Sequence, residues 1–305
     1  MTVAIIGGTG KVGHLTALHL AARRVPVTVI SRTAPAAPLP PGVRHVPGDL
    51  ADPASLAAGL AGADSLFLIT PFIAAETTLG LGAVEAALAA GVRRIVYMAI
   101  MNLEVMARVP HFGNKVPIKQ RVMAAGVPFT VLEPNFFQQN DFMYAGAMLG
   151  PGVYPMPLGR IGLNAVDVRD IAPIAALALA TDRLDGRVLP IPGPEPISGP
   201  SAAATYARLL GRPIHYVGDD LDGFVAMLDR MMPGGADDWL KHDLRTMAEE
   251  NLARGNPADA DQIAAVEDLL GRPLRRHAAL AEEVVAAGLM QAPPGGQTGR
   301  QAGGP

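Results

Sequence analysis

Val3-Ala4-Ile5-Ile6-Gly7-Gly8-Thr9-Gly10-Lys11-Val12-Gly13 is the stretch whose reading decides the fold. Val3 to Ile6 is a short, mostly β-branched apolar run of the kind that forms a buried strand, and Lys11 to Arg23 has the composition and length of a helix. Glycines 7, 10 and 13 stand at the junction. Gly7 allows the tight turn out of the strand, Gly10 lets a backbone come close to a pyrophosphate, and Gly13 lets helix and strand approach each other. The helix N-terminus then presents oriented N–H groups to an anion. A glycine-rich surface turn is the competing reading, and the strand before it and helix after it argue against that.

Further strand candidates run Val27 to Ile30, Val43 to Val46, Ser65 to Ile69, Arg94 to Met98 and Phe129 to Leu132. Helix candidates at Pro53 to Leu60, Ala75 to Ala90 and Lys115 to Ala125 separate them. Alternation of this kind is the signature of βαβ units, so the expected class is α/β, a Rossmann-type doubly wound parallel sheet. After Gly150 the rhythm breaks into Pro/Gly-rich connections, with helix candidates at Ser201 to Leu210, Leu221 to Met231, Asp237 to Leu252 and Pro257 to Leu270. The expected organisation is a nucleotide-binding domain over residues 1–150, completed by about 165–192, where Arg187 to Ile191 adds a strand. A smaller, mostly helical substrate-side lobe over 151–291 is interleaved with it. Residues 292–305, rich in Gly, Pro and Gln, are expected to be a disordered tail.

The 305 residues have a formal net charge of −3, no long basic run and no Cys. That balance argues against nucleic acid as a partner. Without thiols there are no disulfides, thiolate nucleophiles or Cys-ligated metals, and no metal site is expected. No uninterrupted apolar run reaches the ~18 residues of a bilayer span and no charged segment precedes Val3, so a cytoplasmic protein without a membrane partner is expected. The partner expected is a small-molecule substrate; nothing in the sequence fixes an oligomeric state.

At the end of the second strand, where a carboxylate would meet a ribose 2′-hydroxyl, the sequence reads Val29-Ile30-Ser31-Arg32-Thr33. Arg32 can pair bidentately with a 2′-phosphate, with Ser31 and Thr33 as hydroxyl donors, which makes NADP(H) the expected cofactor. An arginine merely solvated at a strand end is the alternative. In Gly48-Asp49-Leu50, Asp49 stands where an adenine amino group would be met, and serves equally well as a helix N-cap or turn residue ahead of Pro53.

These residues, together with Leu68-Ile69-Thr70-Pro71, Lys115 and Glu133-Pro134-Asn135-Phe136-Phe137-Gln138-Gln139-Asn140, resemble the NmrA-like group of atypical short-chain dehydrogenases, which includes isoflavone-reductase-like and triphenylmethane-reductase-like proteins. The resemblance covers nearly the whole chain. It implies that Gly7, Thr9, Gly10, Lys11, Val12 and Gly13, with Asp49 and Leu50, belong to the cofactor site. It also implies that Thr70, Pro71 and Phe72 flank the ribose and pyrophosphate, and that Pro134, Asn135 and Phe136 lie near the nicotinamide. Relatives often have Arg where this chain has Glu133, which puts an anion-binding role there in doubt.

Ordinary short-chain dehydrogenases use a Tyr with a Lys four residues later, and a Ser after the fifth strand. No Tyr-x-x-x-Lys occurs here, and Tyr97-Met98-Ala99-Ile100-Met101-Asn102 has no hydroxyl after Tyr97. His111 and Lys115 stand at the matching spacing, and lysine is found only at 11, 115, 119 and 241. An imidazole can exchange a proton with a carbonyl or enolate while Lys115 holds the nicotinamide ribose, so these two are the candidate catalytic pair. Alternatively, Lys115 only anchors the ribose and His111 lies in a loop behind Pro110. Asn102, Phe137, Asn140 and Met143 are the candidate substrate residues, in or near the amide- and aromatic-rich run at a carboxyl sheet edge where such folds take ligands. Packing between the lobes explains that run equally well. Asp219, Asp220 and Asp222 read as N-capping and dipole complement and not as a metal site, and His242 and His277 receive no role.

The function these features imply is an NADP(H)-dependent reductase of a small apolar carbonyl, enone, quinone or related conjugated molecule. A non-catalytic NADP(H)-binding redox sensor, favoured by the missing Ser and Tyr, is the alternative from another class. A non-redox isomerase or cyclase on the same fold is the third.

Overall fold

Nine strands form in the computed structural model, which describes residues 1–35, 38–232 and 234–289. They are β1 (Val3–Ile6), β2 (Val27–Ser31), β3 (Val43–Pro47), β4 (Ser65–Leu68), β5 (Arg94–Met98), β6 (Phe129–Pro134), β7 (Val153–Tyr154), β8 (Arg187–Ile191) and β9 (His215–Tyr216). Seven make one sheet in the order β3-β2-β1-β4-β5-β6-β8, every pairing parallel. The order runs outward in both directions from β1 and β4, which places a topological switch point between those two strands. β7 and β9 form a separate parallel ribbon that alternation did not announce, two residues being too short to show a period.

The helices are α1 (Lys11–Ala22), α2 (Pro53–Leu60), α3 (Glu76–Ala89), α4 (Pro110–Met123), α5 (Ala145–Leu149), α6 (Val168–Ala180), α7 (Gly199–Leu210), α8 (Leu221–Met231), α9 (Asp238–Arg254), α10 (Ala260–Leu270) and α11 (His277–Ala286). Alternation along a strand decides which helix layer each side chain meets. Val3 and Ile5 pack into a core shared with α1 and α6, whereas Ala4 and Ile6 pack into one shared with α2, α3 and α4. Each large side chain buried in this way stabilises the fold by about 1.5–3 kcal/mol. A third core joins Tyr144, Tyr154 and Tyr206 to Phe224 and Leu280.

Three local expectations need correction. α4 starts five residues before the expected Lys115, because Pro110 sits in its first turn, where a missing N–H costs nothing. Asp52, not Asp49, caps α2 by accepting from Ala54 N at 3.1 Å, while Asp49 turns its carboxylate onto Ala51 N. Of the acidic trio, Asp220 caps α8 and Asp222 complements the dipole from its first turn, but Asp219 does neither and meets Arg160. His277, unassigned from sequence, donates from Nε2 to buried Asp141 at 2.6 Å, and Tyr154 and Tyr206 donate to the same carboxylate at 2.7 and 3.0 Å. The expected tail, residues 292–305, lies outside the described residues.

Candidate functional site

The register sets Ile6 level with Ile30 and Leu68, so Gly7, Ser31 and Ile69 leave the sheet at one edge. Gly7 makes its turn at φ +79°, a conformation L side chains rarely adopt. A Cβ on Gly13 would sit 2.5 Å from Gly7 O and 2.7 Å from Gly8 Cα, and one on Gly8 would sit 2.7 Å from Val29 Cγ1. Gly8, given no role from sequence, is therefore needed for packing. Gly10 differs: a Cβ there would meet only Gly7 O, at 3.3 Å, and otherwise faces open space. Gly10 is also the N-cap of α1 and brings no capping side chain. Exposed Thr9 and Lys11 flank it, and Val12 is buried beneath. The first-turn N–H groups thus face outward without a side-chain acceptor, a cradle that fits a pyrophosphate.

Arg32 leaves β2 beside this turn, exposed and without an ion-pair partner among the described residues. The Ser31 hydroxyl donates to Thr33 O at 2.8 Å and lies 3.0 Å from His45 Nε2, so its one proton is already used. Asp49 and the half-buried Leu50 follow β3, Leu50 against the α2 side of the core. After β4, Thr70 is buried, Pro71 is half-buried and Phe72 is 44% exposed, its ring edge-on to His111 at 4.8 Å and 5.3 Å from Trp239.

His111, Lys115 and Lys119 follow one another every four residues on α4 and so share one face. Each meets a carboxylate from elsewhere in the chain. His111 donates its backbone N–H to Asp243 Oδ1 and its Nδ1–H to Asp243 Oδ2, both at 2.7 Å. A carboxylate only accepts, so the proton is on Nδ1 and Nε2 is the nitrogen left for exchange. Lys115 Nζ bonds to Glu76 and donates to Thr70 Oγ1 at 2.9 Å, while Thr70 donates to Glu76 Oε1 at 2.5 Å. Burial pulls Lys115 below the ordinary lysine value, against the opposing pull of Glu76. Two buried atoms beside this pair, Glu76 Oε2 and the Tyr97 hydroxyl, have no hydrogen-bond partner among the described residues. Lys119 donates to Glu133 and Glu104, both at 2.7 Å. Glu133 thus has a structural partner in Lys119, in place of an anion-binding role.

Beyond β5 and β6, Asn102 and Asn135 are brought together through Asn256, which sequence reading missed. Asn102 Nδ2 donates to Asn256 Oδ1 at 2.6 Å, and Asn135 Nδ2 donates to Asn256 O at 2.9 Å. Asn102 holds φ +58°, which asparagine tolerates better than most residues. Pro134 lies buried at the end of β6 opposite Ile191, and Phe136 packs into the third core. Phe137 packs instead against the core of α1 and α6, Asn140 lies half-buried in a 3₁₀ segment, and Met143 is 54% exposed. Among the described residues no group of three His, Asp or Glu is placed to hold a metal ion, and no helix is long and apolar enough to cross a membrane.

A parallel sheet wound outward from β1 and β4, with an open glycine turn at the switch, is the architecture of dinucleotide-binding proteins. The chain belongs to the NmrA-like family, whose profile matches residues 1–267. It is 30% identical over 288 residues to the NAD(P)H azoreductase of Xenophilus azovorans, covering 93% of this chain and 98% of that protein. It is also 30% identical over 280 residues to the (4-alkanoyl-5-oxo-2,5-dihydrofuran-3-yl)methyl phosphate reductase of Streptomyces griseus subsp. griseus, covering 90% and 94%. An NADPH-dependent quinone oxidoreductase from Escherichia coli, solved with NADPH, matches the fold with a TM-score of 0.78 at 23% identity, over 93% of this chain and 99% of that one.

Proposed function

We propose that this chain is an NADP(H)-dependent reductase of a small, largely apolar conjugated acceptor such as a carbonyl, enone or quinone. The observation that supports it best is the open, uncapped turn at Gly10 beside unpaired Arg32, in a chain that aligns nearly end to end with two proteins named as reductases. In this reading the α1 N-terminus takes the pyrophosphate and Arg32 the 2′-phosphate. Thr70, Pro71 and Phe72 lie along the ribose side, and Pro134, Asn135 and Phe136 lie toward the nicotinamide. When bound, the reduced nicotinamide supplies a hydride, and the acceptor then needs one proton. As an imidazolium, His111 gives that proton from Nε2 and is left as the neutral ring whose Nδ1–H stays on Asp243. Lys115, held by Glu76 and Thr70, anchors the ribose and, when protonated, sets a positive potential near the developing anion.

The test is the loss of reduced-nicotinamide absorbance on mixing the protein and NADPH with a panel of quinones and enones. Turnover that disappears in Lys115→Ala is the expected result. One observation favours the redox-sensor reading instead: His111 and Lys115 are both already tied to buried acids. Tight NADPH binding with no turnover on any acceptor would decide for it.

A further inference from the structure

Leu15 and His19 on α1 and Arg23 at its C-cap recur every four residues, and Arg169, Pro173 and Leu177 do the same on α6. The two helices pack side by side, so each turns one stripe toward a shared groove. The end of α10 at Leu269 and Leu270, the following Arg272 and Arg275, and Arg183 beyond α6 complete a cavity of about 510 Å³. None of these residues belongs to the glycine turn or to the acid-paired face of α4. The volume is that of a small-molecule site.

The charge in this groove is not balanced. Arg169 is held by Asp167 and Glu283, and Arg272 and Arg275 share the single buried carboxylate of Asp170. Arg23 and Arg183 have no carboxylate within ion-pair distance among the described residues. Residues 36, 37, 233 and 290–305 contain no Asp or Glu that could supply one. His19 registers the surplus: burial, then Arg23, Arg275 and Arg272, hold its ring below the ordinary histidine value. The floor has the opposite character, since Leu15, Leu177, Leu269 and Leu270 are only partly buried. A purely ionic ligand would leave those leucines wet, and a purely apolar one would leave the arginines unanswered.

We propose that this groove binds an amphipathic organic anion, whose carboxylate, sulfate or phosphate group meets Arg23 and Arg183 while its apolar body lies on the leucine floor. Calorimetric titration of the full chain with decanoate, below its micelle-forming range, should show saturable binding. That binding should weaken at least tenfold in an Arg23→Ser, Arg183→Ser double variant. Both arginines lack partners, so the variant should keep its melting temperature and its NADPH affinity. Affinity should rise from butyrate to decanoate, and decyltrimethylammonium should not bind. Absence of saturable decanoate binding, or unchanged affinity in the double variant, would overturn the proposal. So would inorganic phosphate binding as tightly as decanoate, which would leave a bare anion site, or displacement of decanoate by NADPH, which would move it to the nucleotide site. Binding to phosphatidylglycerol vesicles but not to monomeric decanoate would overturn it in favour of a membrane-surface contact.

Discussion

At the turn after β1 the candidate site is made by leaving side chains out, whereas on α4 it is made by side chains held by distant partners. Three of the four glycines in the turn are dictated by contacts within about two turns of chain or by the neighbouring strand, and the fourth, Gly10, opens the space. On α4, His111, Lys115 and Lys119 are each buried against an acid 132, 39 and 14 residues away. The first arrangement is a property of local backbone and tolerates no bulk. The second is electrostatic, and each buried ionisable side chain depends on a partner that offsets the penalty of burying it.

The sharpest way to break this contrast is at two neighbouring glycines. Gly10→Val should weaken NADPH binding on the order of a hundredfold or more while leaving the melting temperature nearly unchanged, because its side chain fills space that only a ligand needs. Gly13→Val should instead prevent folding, since its Cβ starts 2.5 Å from Gly7 O. Titration of NADPH fluorescence and thermal melts read the two outcomes. Retained affinity in Gly10→Val would remove the nucleotide from this turn.

On α4 the expected effect is catalytic. If His111 exchanges the proton, His111→Ala should lower turnover by about 10²- to 10⁴-fold with NADPH affinity kept. Asp243→Asn should do much the same by removing the carboxylate that orients the ring and supports its imidazolium form. Full turnover in both variants would make this face of α4 purely structural.

The difference between the regions also explains what could be read from sequence. Strands β1 to β6 and β8 were legible within two residues at either end, because alternating apolar runs and following helices are local signals. The turn between β1 and α1 was legible for the same reason, and Arg32 stands exposed after β2, where its place in the sequence puts it. Asp243 was not, being one of many acids on a helix whose polar face looks solvated. Glu76 reads as an ordinary first-turn acid on α3 and only the fold shows it buried under Lys115. Asn256 and His277 became visible only once α9 and α11 had returned to the sheet edge and the third core. Long-range pairs leave no period in the sequence.

A smaller and more specific effect separates the Lys115 pair from mere packing. Glu76→Gln should destabilise the protein by about 3–5 kcal/mol, because it leaves a buried ammonium without its counter-charge. The sign with pH follows from the lowered pKa of Lys115. Between that value and the ordinary lysine range the unfolded chain binds the extra proton, so stability rises with pH across that window and the charge-burial penalty is fully present below it. Removing Glu76 takes away an influence that raises the Lys115 pKa, so the window widens downward. The deficit of Glu76→Gln measured by denaturant unfolding should therefore shrink as pH rises toward that range. A deficit independent of pH would mean that Glu76 acts through packing alone.

Arg32→Ala tests the cofactor assignment on the smallest scale. A charge-assisted contact to a 2′-phosphate contributes about 1.5–3 kcal/mol when well formed, which is roughly ten- to 150-fold in affinity. Arg32 is exposed, so solvent screening places the expected loss toward the lower end, near tenfold, for NADPH. NADH lacks the 2′-phosphate and should bind the variant as it binds wild type. Arg32→Lys should fall between the two, keeping the charge but losing the planar fork. Raising the salt concentration should narrow the gap between wild type and Arg32→Ala for NADPH and leave NADH unaffected, because only the first interaction is between net charges across water. Equal losses for both cofactors would show that Arg32 supports the loop and does not read the phosphate. A preference for NADPH that survives Arg32→Ala would point to the exposed hydroxyl of Thr33, the next residue along, since the Ser31 hydroxyl is already committed.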